Sequence, residues 1–291
     1  LVALDVWTQA EADDARIEAV VARQLQPPLS AALLAQRLHA EFPGRSRIVS
    51  SIDADLQRIL EDRVSAYFSQ LPERTSAALL VVDNRTMEAR AYIGSAEFGD
   101  AARLGHVDMV RATRSPGSTL KPFLYGLAID DGLIHSESLL LDAPQSFGDY
   151  RPQNFDPTFN GPVSAADALR LSLNVPAVDL LDRAGPSRFA ARLANAGVRL
   201  QFPKGGGPNL SVILGGAGVS LEQLVGAHAA FNRGGLAGRV RYTPRAKDEG
   251  TAADDRRLMS PGAAWIIRDI LERHERPGDR GDTFDTSRRP Q

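Results

Sequence analysis

The chain has 291 residues, enough to bury a full core, and 43% of them are hydrophobic, with a net charge of only −2. Mixed charge leaves no basic face for nucleic acid, and the absence of cysteine excludes disulfides, thiol catalysis and cysteine-ligated metals. No apolar run reaches the ~18 residues of a membrane-spanning helix.

In chain order, Thr8 and Glu11 make a Thr-x-x-Glu capping box. It should start a helix through Ile17, Val20 and Val21 that ends before Pro27-Pro28. A second helix is expected over 31–40, followed by Phe42-Pro43-Gly44 as a linker. Asp53 is placed to cap a third, with Leu56, Leu60, Val64 and Tyr67 on one face. Two strand-like runs, 77–82 and 89–93, are joined by Asp83-Asn84-Arg85-Thr86 as a hairpin turn. Beyond them the pattern is mostly helical with long loops at 95–114 and 141–162, so the class is α+β. Helical spacing of Phe123, Leu124, Leu127 and Ala128 ends at Asp131-Gly132. Ser164 and Asp167 cap a further helix. Pro176 is expected to push Val175 out of the helical region, leaving 172–174 at a break and starting a new helix that runs to Gly185. Ser220 and Gln223 cap another, ending at Gly234-Gly235, and the polar stretches 243–257 and 276–291 read as mobile. Five histidines without ligand spacing imply no metal site, and no cofactor is implied. Gly215-Gly216-Ala217-Gly218 lacks the third glycine of a dinucleotide-binding loop, since Leu221 occupies that position.

The chemistry concentrates in Ser115-Pro116-Gly117-Ser118-Thr119-Leu120-Lys121, in a chain with only three lysines. Residues three apart on a helix share a face, so the Ser118 hydroxyl and the Lys121 amine should approach each other. A serine becomes a competent nucleophile when a neighbour takes its proton, and a lysine does this when burial lowers its pKa. Pro122 is tolerated in a first turn, where its missing N–H costs no hydrogen bond. Ser172-Leu173-Asn174 supplies a second hydroxyl to relay a proton and a carboxamide to hold a substrate amide. Read alone, the same residues are capping groups at a helix break.

Together these blocks resemble the penicillin-binding proteins and serine β-lactamases. The stretches 114–125, 150–156, 172–178, 214–218 and 265–271 resemble the transpeptidase domain of bifunctional class A penicillin-binding proteins. The resemblance implies a penicillin-binding protein/serine β-lactamase-like α+β fold over 46–291, with 1–45 as a helical tail and linker from an upstream glycosyltransferase domain. It implies a peptidoglycan D-Ala-D-Ala transpeptidase that forms cross-links through an acyl-serine intermediate, with Ser118, Lys121, Ser172 and Asn174 catalytic. Tyr150 and Asn154 would border the substrate groove, or else belong to a hydrogen-bonded Asx-type turn. Implied partners are peptidoglycan stem peptides, β-lactams as covalent inhibitors, and cell-wall synthesis proteins. The implied address is the periplasmic or extracytoplasmic face, with a membrane anchor upstream of Leu1.

One family element has no counterpart. The Lys-Thr/Ser-Gly strand is absent: Lys121 is used, Lys247 precedes Asp248-Glu249, and Lys204 lies in a Gly/Pro turn without the hydroxyl residue. The resemblance therefore implies a piece cut before that strand, with late sheet strands missing and a strand edge exposed. Losing one oxyanion donor with it costs roughly a hundred- to a thousand-fold in rate. A penicilloyl-hydrolysing enzyme would need a deacylating base that is not identifiable. The other reading is a catalytically incompetent fragment or scaffold that binds stem peptides or cell-wall synthesis partners.

Overall fold

The computed structural model describes residues 8–17, 29–156, 158–245 and 255–273. The readings for 18–28, 246–254 and 274–291 lie outside the described residues. The chain divides into two units, 1–30 and 31–291. In the first, α1 (Gln9–Ile17) begins at the expected capping box. The Thr8 N–H donates to Glu11 Oε2 at 2.8 Å, and the Glu11 N–H donates to Thr8 Oγ1 at 3.3 Å.

The second unit opens with α2 (Ala32–Glu41), whose Leu33, Leu34 and Leu38 are buried. In α3 (Ala54–Phe68), Asp53 caps the start by accepting from the N–H groups of Asp55 and Leu56. The apolar face expected on α3 is only half sunk: Leu56, Leu60 and Val64 are half-buried and Tyr67 is exposed. The residue α3 buries is Gln57, which accepts from Tyr92 N at 2.7 Å and donates to Tyr92 O at 2.9 Å. A carboxamide here does what a neighbouring strand would do, which hydropathy could not indicate.

Tyr92 belongs to β2 (Ala89–Ile93), which pairs antiparallel with β1 (Leu79–Val82), Leu79 opposite Ile93 and a bulge between Val81 and Val82. The Asp83 carboxylate accepts from Arg85 N and Thr86 N in the turn between them, as expected of an Asx-type turn. The far edge of β2 is covered by Gln57, by Asp53 N–H on Arg90 O, and by a bonded exchange with Arg241. Among the described residues, the outer edge of β1 has no backbone partner, which is the exposed edge that the sequence implied.

The main core surrounds α4 (Lys121–Asp130), in which Phe123, Leu124, Tyr125, Leu127 and Ala128 are all buried. Such a helix is apolar all round because it lies inside the molecule. The expected long loop 141–162 is partly strand: β3 (Leu139–Asp142) pairs antiparallel with β4 (Gly161–Ser164). Four-residue strands carry little periodicity, and Pro162 in an edge position disguises the second one. Then come α5 (Ala165–Arg170), capped by Ser164, α6 (Asn174–Ala184) and α7 (Pro186–Asn195). A further helix, α8 (Leu221–His228), is capped by Ser220 as expected. A short pair, β5 (Leu236–Ala237) with β6 (Arg256–Arg257), was not legible in the sequence and precedes α9 (Pro261–Glu272). Helices α4, α6 and α9 share one core; Phe123 stacks on Phe231 with ring centroids 5.2 Å apart.

Candidate active site

Ser118 sits in a single 3₁₀ turn, Gly117–Leu120, that runs straight into α4. With three residues per turn, positions i and i+3 eclipse, so Ser118 and Lys121 lie one above the other. The turn is clasped from the side. Ser115 Oγ donates to Gly215 O at 2.9 Å and accepts from Gly117 N, while Arg114 and Val219 exchange backbone hydrogen bonds. Gly215 has φ +97°, and a Cβ on it would come within 2.3 Å of Ser115 Oγ, so glycine is required there by both space and conformation.

The two side chains differ in surroundings. Ser118 is exposed, and its hydroxyl has no hydrogen-bond partner among the described residues. Lys121 is 1% exposed. The direct Ser118–Lys121 contact expected from the spacing is not made. Lys121 Nζ instead donates to Ser172 O at 2.6 Å, to Asn174 Oδ1 at 2.7 Å and to Ser172 Oγ at 3.2 Å. Burial lowers its pKa to about 8. Two of its three partners are carbonyls that can only accept, so the Ser172 hydroxyl is the one that can reverse and donate to a neutral amine.

Ser172 reaches this position because the chain breaks between α5 and α6, where Ser172 takes the left-handed conformation with φ +54°. Expectation and structure differ by two residues here. Helix α6 starts at Asn174, so Val175 is helical and Pro176 lies inside the first turn. A proline in the first turn needs no N–H, and the break falls on the strained Ser172 instead.

Asn154 lies under this cluster. Its Oδ1 accepts from Asn174 N at 2.9 Å, and its Nδ2 donates to Asp142 Oδ1 at 2.8 Å and to Thr158 O at 3.1 Å. These bonds are not those of the expected Asx-type turn, since Asn154 Oδ1 accepts from a residue twenty positions on. Tyr150 is half-buried beside the core in a turn closed by backbone bonds with Phe147; its hydroxyl makes no bond within the Lys121 cluster, and burial raises its pKa. Sequence reasoning missed Asp142, Asn160 and Gln153. Asp142 is fully buried at the end of β3 and also accepts from Asn160 N and Nδ2. Gln153 O accepts from Asn174 Nδ2 at 2.8 Å. An acid closing an apolar Leu-Leu-Leu run was the available signal for Asp142. Lys204 is exposed in a turn where Gly206 N donates to Pro203 O.

The model of the penicillin-binding protein transpeptidase domain matches residues 77–287. The chain belongs to that family. It is 47% identical over 272 residues to penicillin-binding protein 1C of Escherichia coli, a match covering 94% of this chain and 34% of that protein. To penicillin-binding protein 1F of Bacillus subtilis it is 30% identical over 246 residues, covering 81% of this chain and 33% of that one. The chain thus spans about a third of the length of these curated relatives. Among solved structures, the penicillin-binding protein PonA1 of Mycobacterium tuberculosis superposes with a TM-score of 0.68 at 22% identity. That likeness covers 82% of this chain and 68% of PonA1 and concerns the fold. This penicillin-binding transpeptidase domain therefore has the α+β fold expected of it, with a sheet that is incomplete among the described residues.

Proposed function

We propose that this domain is a serine acyl-transferase of the D-Ala-D-Ala transpeptidase type, acting on peptidoglycan stem peptides and acylated by penicillins. The observation that carries the reading is a buried lysine of lowered pKa, eclipsed with an exposed serine and held by a second serine and an asparagine. With a pKa of about 8, roughly a tenth of Lys121 is neutral at pH 7, against well under a thousandth of an ordinary lysine.

Ser118 Oγ attacks the carbonyl of the penultimate D-Ala as Lys121 takes its proton. Ser118 lies in a first turn, where backbone N–H groups lack intrahelical partners and can face a developing oxyanion. The Oγ–C bond forms, the C–N bond breaks, and the departing D-Ala amine receives a proton from Ser172, which Lys121 resupplies. An amine of a second stem peptide then displaces Ser118, closing the cross-link. With a β-lactam the broken C–N bond is in the ring, and the leaving nitrogen stays attached. Asn174 keeps one Nδ2–H beyond the bond to Gln153 O, and it binds the substrate backbone with that donor. Tyr150 borders the groove. We assign the domain to the periplasmic, extracytoplasmic face, held there by a membrane anchor upstream and working with other cell-wall synthesis proteins. No described helix is long and apolar enough to cross a membrane.

Intact mass after incubation with a penicillin tests this. One acyl adduct is expected in a chain that includes the Lys-Thr/Ser-Gly strand, lost in Ser118→Ala and strongly slowed in Lys121→Ala, with these 291 residues alone reacting at least about a hundred-fold more slowly. A folded protein that includes that strand and gains no adduct would overturn the catalytic reading in favour of a module that binds stem peptides or partners without chemistry.

A further inference from the structure

The base Lys121 is oriented by a carboxamide that is itself oriented by a chain of others. Asn174 must turn its oxygen toward the lysine, because its two ends are chemically different and an N–H end would repel the amine's own protons. Asn174 Nδ2 donates to Gln153 O at 2.8 Å, which holds the carboxamide that way round, and the Asn174 backbone N–H, at the start of α6, donates to Asn154 Oδ1 at 2.9 Å, which fixes where the side chain starts from.

Asn154 faces the same choice, since an amide flip would aim its NH₂ at the Asn174 N–H. Its orientation is decided by Asp142, with Thr158 O as a second acceptor for its NH₂. A carboxylate accepts and cannot donate, so the Asn154 NH₂ must face it and the Asn154 oxygen must face Asn174. Asp142 is 0% exposed and its second oxygen accepts from Asn160 N at 2.9 Å and Asn160 Nδ2 at 2.8 Å. Among the described residues its hydrogen-bond partners are the neutral donors of Asn154 and Asn160. A fully buried acid held only by neutral donors is costly as a mere scaffold, because an isosteric amide would avoid burying the charge. An amide, however, has one oxygen for donors on both sides, Asn154 Nδ2 and Asn160 N and Nδ2, so its own NH₂ would oppose one of them.

We infer that Asp142, acting through Asn154, is a positioning residue for acyl transfer: it fixes the polarity of the Asn154 carboxamide, which anchors the backbone N–H at the start of α6 from which the Asn174 side chain is presented to Lys121. This rests on the acyl-transfer reading above for its catalytic consequence, and on the hydrogen-bond chain alone for its effect on Lys121.

The test uses Asp142→Asn and Asn154→Ala, each in the wild-type and the Asn174→Ala background, in the protein labelled with a penicillin. Both substitutions should lower the maximal acylation rate constant roughly ten- to a hundred-fold, as a misplaced base does, with the drug concentration for half-maximal rate changing about two-fold or less. In the Asn174→Ala background neither should cost more than about two-fold further, because the carboxamide they position is already gone. A second readout needs no acylation: the pH dependence of Lys121 acetylation by acetic anhydride, read by peptide mass. Loosened from its partners, the amine meets water, and its midpoint should rise by about half a unit or more. Should Asp142→Asn fail to fold, Asn154→Ala carries both readouts. Full additivity with Asn174→Ala, or an unmoved Lys121 midpoint, would overturn the inference and leave Asp142 a structural residue. If wild-type protein takes no penicillin, the acyl-transfer reading fails, and the Lys121 midpoint still decides this one.

Discussion

At the scale of single residues, burial does the tuning. Desolvation lowers Lys121 to about 8, so its neutral, basic fraction grows as pH rises through that value. The acylation rate constant should therefore climb between pH 6.5 and about 9 with a midpoint near 8; a flat profile over that range would sink a neutral lysine base. The same shift has a stability sign. The folded pKa lies below the ordinary ~10.4, so the unfolded chain binds more protons between about 8 and 10.4, and this group's penalty fades as pH rises through that window. Tyr125, one turn after Lys121 on α4, is 1% exposed and its hydroxyl has no hydrogen-bond partner among the described residues. An unmade buried hydrogen bond costs about 1–3 kcal/mol. Tyr125→Phe should leave the denaturation midpoint unchanged or raise it by up to ~1 kcal/mol equivalent, and a clear loss of stability would reveal a partner for the hydroxyl.

At the scale of elements, Ser118, the proposed nucleophile, is placed by a turn and its clasp. Adding a methyl at Gly215 meets Ser115 Oγ at 2.3 Å and Gly117 Cα at 3.0 Å, on a backbone that side chains disfavour. Gly215→Ala should cost about 1–3 kcal/mol in chemical denaturation, and it should slow acylation in the remaining folded protein because the Gly117–Leu120 turn must move. Normal acylation by the folded variant would show that the clasp does not position Ser118. Elements with strong local codes were legible: the boxes at Thr8 and Ser164, and the caps at Asp53 and Ser220, each start the helix expected of them. Pro176 was misread because its φ suits a first turn as well as a break, and only packing of α6 against α4 chooses between them. Strand β3 was missed because its four residues derive their order from β4, a partner about twenty residues away.

At the scale of the molecule, a second core lies apart from the catalytic one. Helix α2 packs Leu33, Leu34 and Leu38 with β2, Val110, Ala229, Val240 and Tyr242. Arg37 locks it from above, 4.3 Å from the Tyr242 ring and bonded to Glu222 at 2.7 Å, which also accepts from the Tyr242 hydroxyl. Leu34 is 2% exposed, so Leu34→Ala should destabilise by about 2–5 kcal/mol. Thermal melting checks this, and a loss below ~1 kcal/mol would show that α2 contributes little to the fold of residues 31–291.

The residues proposed to carry the chemistry were readable from the chain because their grouping is local: Ser118 and Lys121 are a turn apart, and Ser172 and Asn174 share one tripeptide. Helix starts were readable for the same reason, since a cap is a contact across three residues. What only the tertiary structure decided is how those groups face one another. Lys121 bonds Ser172 and Asn174, some fifty positions on, rather than Ser118, and Asp142 sets Asn154 from another strand. Such contacts depend on which groups are desolvated together. A linear pattern records spacing along the chain, whereas burial and hydrogen-bond polarity are settled by whatever the fold brings alongside.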